Sequence, residues 1–581
     1  MGPHGTRQGP TPVAAKRYQR HEPEATPLYK IVAEHLESFL AEARETHERA
    51  LPQYVERELR EYLKCGILAH GFLRARCRSC GKDLIVALSC KKRGVCPFCN
   101  ARRMCGTAVH LTDEVMPEVP LRQRVLSVPF ELRLLLARDP RALTAVGRIF
   151  VQEIFRSQRE RAGLSGLRST ASGAVCFPQR FGGSMNLNVH FHVVVPDGVF
   201  TAARSAARAD FWRLPTPDRM DLETLTVNVE MRVVGWLRRH GFLDNDPDEP
   251  PTEPVVRSAL DACLQGSLGL GELTAMPSRP GPSDDGHEAL PAPSRSQRRS
   301  GHVRGFDVHA GVVVSASDRE GRERLLRYCA RPPLSLERLS VLSVLSDGRI
   351  AYAIRKPWGN ETHRVMSPLQ FLARLAALIP PPRHPLIRFY GVFAPHSSWR
   401  AKVVPVRSPC CHKQSANGIC SAQPTAAATA ATTATAAASA TARIVKSSTL
   451  PTLARRCSEP APYCTTTIAP KYVAVAAVRE PTTRIDWAEL LKRVHDVDAL
   501  ACPCGGRLKF IALILEEDPA RAILESLHLP SGPPPVARAR SPDWLEPIPL
   551  DTQRRPSERA PRFGAAESEL SALRRSPARG P

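Results

Sequence analysis

The chain has 581 residues and carries 81 Lys and Arg against 57 Asp and Glu, a formal charge of +24. The length suggests three or four domains, or fewer with long linkers, and the basic balance points to a polyanionic partner, most simply nucleic acid, and argues against an acidic buffer protein. No run of 18 or more apolar residues marks a spanning helix, and the polar, Pro-rich residues 1–27 read as a disordered basic arm rather than a secretory signal.

In chain order, residues 28–63 predict two helices. Ile31, Val32, His35, Leu36, Phe39 and Leu40 keep one face of a 3.6-residue period, and Val55, Leu59, Tyr62 and Leu63 repeat it after Pro52. Val125–Val128 is a short β-branched run that reads as a strand, and 130–162 as a helix with an Arg-rich end. Ala174–Gln179 and Asn188–Val195 predict two strands joined around Gly182-Gly183. Residues 219–240 read as a helix. The nine prolines of 244–300 mark a linker or insertion. Val308–Ser315 reads as a strand, and Glu323–Ala330 as a short helix stopped by Pro332-Pro333. Residues 401–479, with one acid and an Ala/Thr tract, read as a low-complexity linker. A helix and a strand return at 484–530, and a Pro/Arg-rich tail follows.

The 17 cysteines cluster. Without a secretory signal such clusters are more often metal ligands than disulfides. Cys77-Arg-Ser-Cys80 and Cys96-Pro-Phe-Cys99 are CxxC pairs separated by fifteen residues. That spacing predicts one four-cysteine zinc ribbon, with Cys65, Cys90 and Cys105 left over as small apolar residues or a second metal site. Residues 60–110 hold eleven Lys and Arg against Glu61 and Asp83. Lys91, Lys92, Arg93, Arg102 and Arg103 flank the second pair and suggest a phosphate-contacting face. A tighter pair, Cys502-Pro-Cys504-Gly-Gly, resembles half a zinc knuckle, with Cys457 and Cys464 as distant candidate partners.

Asn188-Val-His190-Phe-His192 is the most informative run. In a strand of period two, His190 and His192 point to one face, and two imidazoles on one strand can grip a divalent ion and leave positions open for a phosphate oxygen. A turn centred between Gly183 and Ser184 puts Phe177 opposite His190 and Gln179 diagonal to it. Gln179 and His309 are both candidates for a third ligand. On the basic helix around Arg324, Arg327 and Tyr328, the phenol is either an anchor of the helix or a nucleophile activated by positive charge and a metal.

Together, "LKCGILAHGFLRARC", "SCKKRGVCPFCNARRM", "QRFGGSMNLNVHFHVVVPDGVF", "LLRYCARPP" and "CPCGGRLKFIA" resemble the rolling-circle transposases of bacterial insertion sequences, the insertion-sequence ninety-one family of the HUH nuclease superfamily. The resemblance covers 28–243, 303–400 and 485–530. It implies an α+β protein: N-terminal helices and a zinc ribbon at 28–115 that recognises DNA, and an HUH-type antiparallel sheet flanked by helices at 120–243 and 303–400. The resemblance returns in a small C-terminal domain at 484–530, whereas the Pro-rich insertion at 244–302 and the segment 401–479 depart from the family, and the Pro/Arg-rich composition of 531–581 reads as a disordered tail. The activity it implies is nicking and joining of single-stranded DNA at element ends. His190 and His192 would hold Mg or Mn, and Tyr328 would form a 5′-phosphotyrosine. Arg327 would contact DNA and structural Zn would sit in the ribbon. Host replication proteins would be partners, and the setting the bacterial cytoplasm and nucleoid. Many relatives carry two tyrosines four residues apart, whereas Arg324 stands at the partner position here. A non-catalytic zinc-ribbon DNA-binding protein and an inactive transposase copy are the competing readings.

Overall fold

The computed structural model describes residues 18–163, 170–201, 208–243, 258–268, 300–334, 342–345, 348–358, 361–405 and 486–540. The chain is mixed helix and antiparallel sheet, and none of its described helices is long and apolar enough to cross a membrane.

Two helices open it, α1 (Pro27–Thr46) and α2 (Gln53–Lys64). The Thr26 hydroxyl caps α1 by accepting from the Tyr29 amide at 3.2 Å. The apolar faces read from the periodicity, including Ile31, Leu36, Leu59 and Tyr62, are buried in the main core. A hairpin of β1 (Phe72–Cys77) and β2 (Asp83–Ala87) follows, then α3 (Pro97–Glu114).

The central sheet is built on β3 (Leu121–Ser127), β5 (Gly173–Phe181) and β6 (Leu187–Pro196), with β6 between the other two. The two-residue β4 (Thr170–Ala171) forms a small sheet with β7 (Gly198–Thr201) and β8 (Asp210–Arg213). Beyond β3 come β10 (Phe306–His309) and β9 (Ser300–Val303), while β11 (Val313–Val314) pairs with the other end of β3. The single strand expected at 308–315 is therefore two short strands, β10 and β11, that share β3 as partner. A hairpin sheet of β12 (Leu342–Val344), β13 (Ile350–Trp358) and β14 (Glu361–Met366) precedes β15 (Arg388–Gly391), which pairs with β5.

Alternation along the strands sorts the two faces. Leu126, Phe191, Val193 and Val195 pack on α4 (Phe130–Arg138), α5 (Pro140–Arg161) and α6 (Arg219–Arg239). Gly147 of α5 lets that helix lie close, since a Cβ there would stand 3.0 Å from the Phe191 ring. The helix expected over 130–162 is split because Pro140 brings no amide and Asp139 caps the new start, accepting from Arg141 and Ala142 amides at 2.6 and 3.1 Å. The opposite face, with Val175, Phe177 and Val194, packs on α3 and α8 (Arg319–Cys329).

Part of the expected Pro-rich insertion is core. Residues Ala259–Leu268 form helix α7, buried against the helix Pro368–Leu378, and Ser267 accepts from the Leu187 amide at 2.9 Å. The C-terminal segment does not stand apart. Strand β16 (Leu508–Ile514) pairs antiparallel with β1 as the third strand of the N-terminal sheet, between the helices Trp487–His495 and Glu517–Ser526. Residues 531–540, expected in the tail, run onto α1, where the Ala537 amide donates to Ala33 O at 2.9 Å. Of the arm expected to be disordered at 1–27, residues 18–27 are part of the fold, with Arg20 Nη1 donating to Gly66 O at 2.9 Å; residues 1–17, residues 406–485, which take in most of the low-complexity stretch 401–479 with Cys457 and Cys464, and the tail beyond 540 lie outside the described residues.

Candidate active site and metal centres

His190 and His192 are 1% exposed and point to the face of β6 that meets α8. Their Nε2 atoms stand 3.1 Å apart. His190 Nδ1 lies 3.0 Å from Asn188 O. A carbonyl only accepts, so that nitrogen carries the proton and Nε2 keeps its lone pair. His192 Nδ1 meets the side-chain amide of Gln123, on β3, at 2.7 Å. An amide can present either its NH2 or its oxygen, so Gln123 can serve either tautomer of His192. With the oxygen turned inward, both Nε2 lone pairs converge on one point, as a metal ion requires.

The register differs from the expected one by two residues. Gln179 is directly opposite His190, and Phe177 opposite His192. The hairpin closes around Ser184, with Met185 at φ +57° and the Gly182 amide donating to Asn186 O at 3.0 Å. Gln179 is 4% exposed; its Nε2 donates to Cys329 O at 2.8 Å, and its Oε1 has no hydrogen-bond partner among the described residues. His309 shares the face but pairs with Val125, which pairs with His192. It is thus two strands away, about 10 Å at the usual strand spacing. Among the described residues, no third His, Cys, Asp or Glu gathers with the two imidazoles. The ligand type favoured His309; the register favours Gln179.

Helix α8 lies over this pair. Asp318 caps it, accepting from the Gly321 amide at 2.7 Å, and Leu325, Leu326 and Cys329 anchor its buried side. The Gln123 side-chain atom that meets His192 also stands 3.5 Å from Cys329 Sγ, a thiol that can accept from the NH2 or donate to the oxygen. Amides from both strands flanking β6 therefore hold the end of the helix. The half-buried Tyr328 ring stands edge-on to His192, centroids 5.5 Å apart, and the Arg331 guanidinium lies 4.6 Å from the centre of the Tyr328 ring. Arg324, one turn earlier, is exposed.

The single cysteine site expected from spacing does not form. Cys96 and Cys99 gather with Cys65 and Cys90, whereas Cys77 and Cys80 gather with Cys502 and Cys504. The cause is local. Cys96 caps α3, its Sγ 3.5 Å from the Cys99 amide, and this knuckle faces the end of α2, where Cys65 lies. The Cys77 knuckle instead ends β1, beside β16. In the first set Cys65–Cys99 and Cys90–Cys99 are 3.6 Å apart and Cys96–Cys65 3.5 Å. Hydrogen bonding with the side chains of Cys90, Cys96 and Cys99 holds Cys65 well below the usual thiol range. In the second, the amide of Cys80, aided by that of Ser79, brings Cys77 down to about 6. Cys105 is buried among Val109 and Leu490 as a small apolar residue.

The basic residues divide. Arg93 donates to His384 O and Pro381 O, both at 2.7 Å, and Arg103 to Lys91 O and Lys92 O at 2.9 and 3.1 Å. These two are internal ties as well as charges. Arg327 pairs with Glu323 at 2.5 Å. Lys91 and Arg102 are exposed. A cleft is lined by Arg93, Arg103, Gln179, Arg180, Cys329 and Arg331 among others, so charge from the cysteine region and from the histidine sheet shares one wall.

A family model described as "Putative transposase" matches residues 173–401, which contain both histidines and Tyr328, and one described as a transposase zinc-binding domain matches residues 31–128. No curated protein and no solved structure matches the chain.

Proposed function

Because the chain belongs to the insertion-sequence ninety-one family of transposases, we propose that it nicks and rejoins single-stranded DNA at the ends of its element through Tyr328. The observation that carries this reading is the placing of the Tyr328 ring 5.5 Å from His192, whose Nε2 converges with that of His190. His190, His192 and the carbonyl oxygen of Gln179 would hold a divalent ion, Mg or Mn. Such an ion supplies charge neutralisation at a scissile phosphate.

The chain's own residues do the rest. Arg331, its guanidinium 4.6 Å from the centre of the Tyr328 ring, places positive charge beside the nucleophile. Tyr328 Oη attacks phosphorus in line, and the bond to the 3′ oxygen breaks. The phenolic proton passes to water, and the departing oxygen gains one. The products are a 5′-phosphotyrosine and a free 3′-hydroxyl, which host polymerases can extend or which a second transfer can join. The link conserves the phosphodiester, so rejoining needs no ATP. Exposed Arg324, Lys91 and Arg102 would contact phosphates. Unpaired substrate spares the melting of a duplex. The set Cys65, Cys90, Cys96 and Cys99, buried except for half-buried Cys90, would hold a structural zinc within the matched zinc-binding domain. The reaction takes place where the DNA is, at the chromosome in the cytoplasm.

Polarity tests the reading. A single-stranded element end is labelled either 5′ or 3′ of the nick and incubated with the protein and Mn. Label from the 3′ segment alone should migrate with the protein under denaturing conditions. Label from the 5′ segment on the protein would instead indicate a 3′-phosphotyrosine enzyme. No adduct with either label would favour a protein that binds DNA without chemistry.

A further inference from the structure

The second cysteine set joins parts of the chain 422 residues apart, Cys80 and Cys502, and Cys502 and Cys504 lie outside the matched zinc-binding domain. We propose that Cys77, Cys80, Cys502 and Cys504 hold a second zinc ion that clasps the C-terminal segment onto the N-terminal sheet and through it braces the tyrosine helix.

The geometry fits a tetrathiolate ion. All four sulfurs lie within 4.8 Å of one another, with Cys77–Cys504 and Cys80–Cys502 both at 3.5 Å. A tetrahedron with Zn–S bonds of about 2.3 Å has edges of about 3.8 Å, whereas a disulfide closes to about 2.05 Å. Both segments form knuckles. The Gly81 amide donates to Cys77 O at 2.9 Å with φ +74°, and the Gly505 amide to Cys502 O at 3.0 Å with φ +82°. Only glycine adopts these turns readily. Gly506 is required for another reason: a Cβ there would stand 2.9 Å from Cys77 Sγ. Four soft thiolates in this arrangement select zinc over Mg or Mn.

The core local to the cysteines is small. Around the cysteines it comprises Ala75, Cys77, Cys502 and Leu508, with Leu73, Leu84 and Leu500 packed against them. Small cores of this kind need a staple. The clasp also reaches the nucleophile. Arg493, on the helix Trp487–His495, pairs with Asp113 of α3 and, at 3.3 Å, with Glu323 of α8. Glu323 in turn holds Arg327 next to Tyr328. This bracing role rests on the nicking function proposed above; the metal site does not.

The test is made on the full chain, purified reduced. Metal analysis should return two zinc ions per chain, one after Cys502→Ser with Cys504→Ser, and two in Arg493→Ala. Nicking should fall about tenfold in both variants. One zinc in wild type, or two in the double variant, overturns the site. Alkylation mapped by mass spectrometry covers a variant that fails to fold. Cys80 and Cys504 are exposed, yet in wild type they should react only after chelation. Reaction before chelation overturns the proposal. Loss of one zinc with nicking unchanged keeps the site and overturns the brace.

Discussion

Gln179 lies directly across from His190 in the antiparallel pair of β5 and β6, and its Nε2 binds Cys329 O, one residue beyond Tyr328, at 2.8 Å. One buried side chain thereby fixes the histidine strand relative to the tyrosine helix, and its remaining oxygen has no hydrogen-bond partner among the described residues. A buried amide oxygen without a donor is costly unless something else satisfies it.

The first prediction concerns that oxygen. Gln179→Ala should weaken Mn binding by about tenfold, in line with the loss of a supporting group at a metal site. Gln179→Glu should bind Mn at least as tightly as wild type, since a carboxylate is a stronger ligand for a hard cation. Calorimetric titration measures both. Equal Mn affinity in all three proteins would leave Gln179 as a tie to α8 only.

A second prediction concerns the frame. Arg122 and Asp197 form a buried bidentate pair, Nε–Oδ1 at 2.7 Å and Nη2–Oδ2 at 2.8 Å, and Arg122 Nη1 also donates to Ala310 O at 2.9 Å. The pair joins β3 to the end of β6 and to the β10–β11 connection. Asp197→Ala leaves a buried guanidinium without its carboxylate, and should cost about 3–5 kcal/mol. Adding Arg122→Met should recover much of it. Urea denaturation of the single and double variants would show no such recovery if the pair were solvated.

Acid sensitivity supplies a third. Burial, with the charges of Arg388, Arg180 and Arg93, pushes His384 down from 6.5 to about 4. The folded protein prefers the neutral ring. The contribution is complete above 6.5 and is lost as pH falls from 6.5 toward about 4, because only the unfolded chain then takes the proton. His384→Gln should flatten this part of the stability profile, measured as denaturation midpoint against pH. A profile identical to wild type would mean that His384 titrates normally.

Elements with a clear local pattern could be read from the sequence. The α1 and α2 faces and the tyrosine helix follow from helical periodicity, and the His-x-His strand from its β-branched run, although both its faces are buried. What could not be read is long-range pairing. CxxC spacing joined Cys77–Cys80 to Cys96–Cys99, because sequence proximity cannot show that β16 returns from the far end of the chain to pair with β1. The Gly-Gly after Cys504 was the available signal. Nothing in a strand sequence marks Gln123 as a residue that contacts a histidine on the neighbouring strand. The register at Gln179 turned on the hairpin, which closes around Ser184 with Phe181 opposite Leu187, and on an irregularity between Gln179 and Phe181 that adds the rest of the shift. Helix α7 escaped because the prolines around it dominate the local pattern.

The most direct measurement is adduct formation by Tyr328→Phe on a single-stranded element end, beside wild type and His190→Ala. Tyr328→Phe removes only the hydroxyl, so DNA binding and zinc content should persist while cleavage and the covalent adduct vanish even in excess Mn. His190→Ala should lose cleavage but regain part of it as Mn is raised, since concentration offsets weak binding and cannot replace a nucleophile. A protein–DNA adduct formed by Tyr328→Phe, or wild-type cleavage that persists in EDTA, would contradict the account.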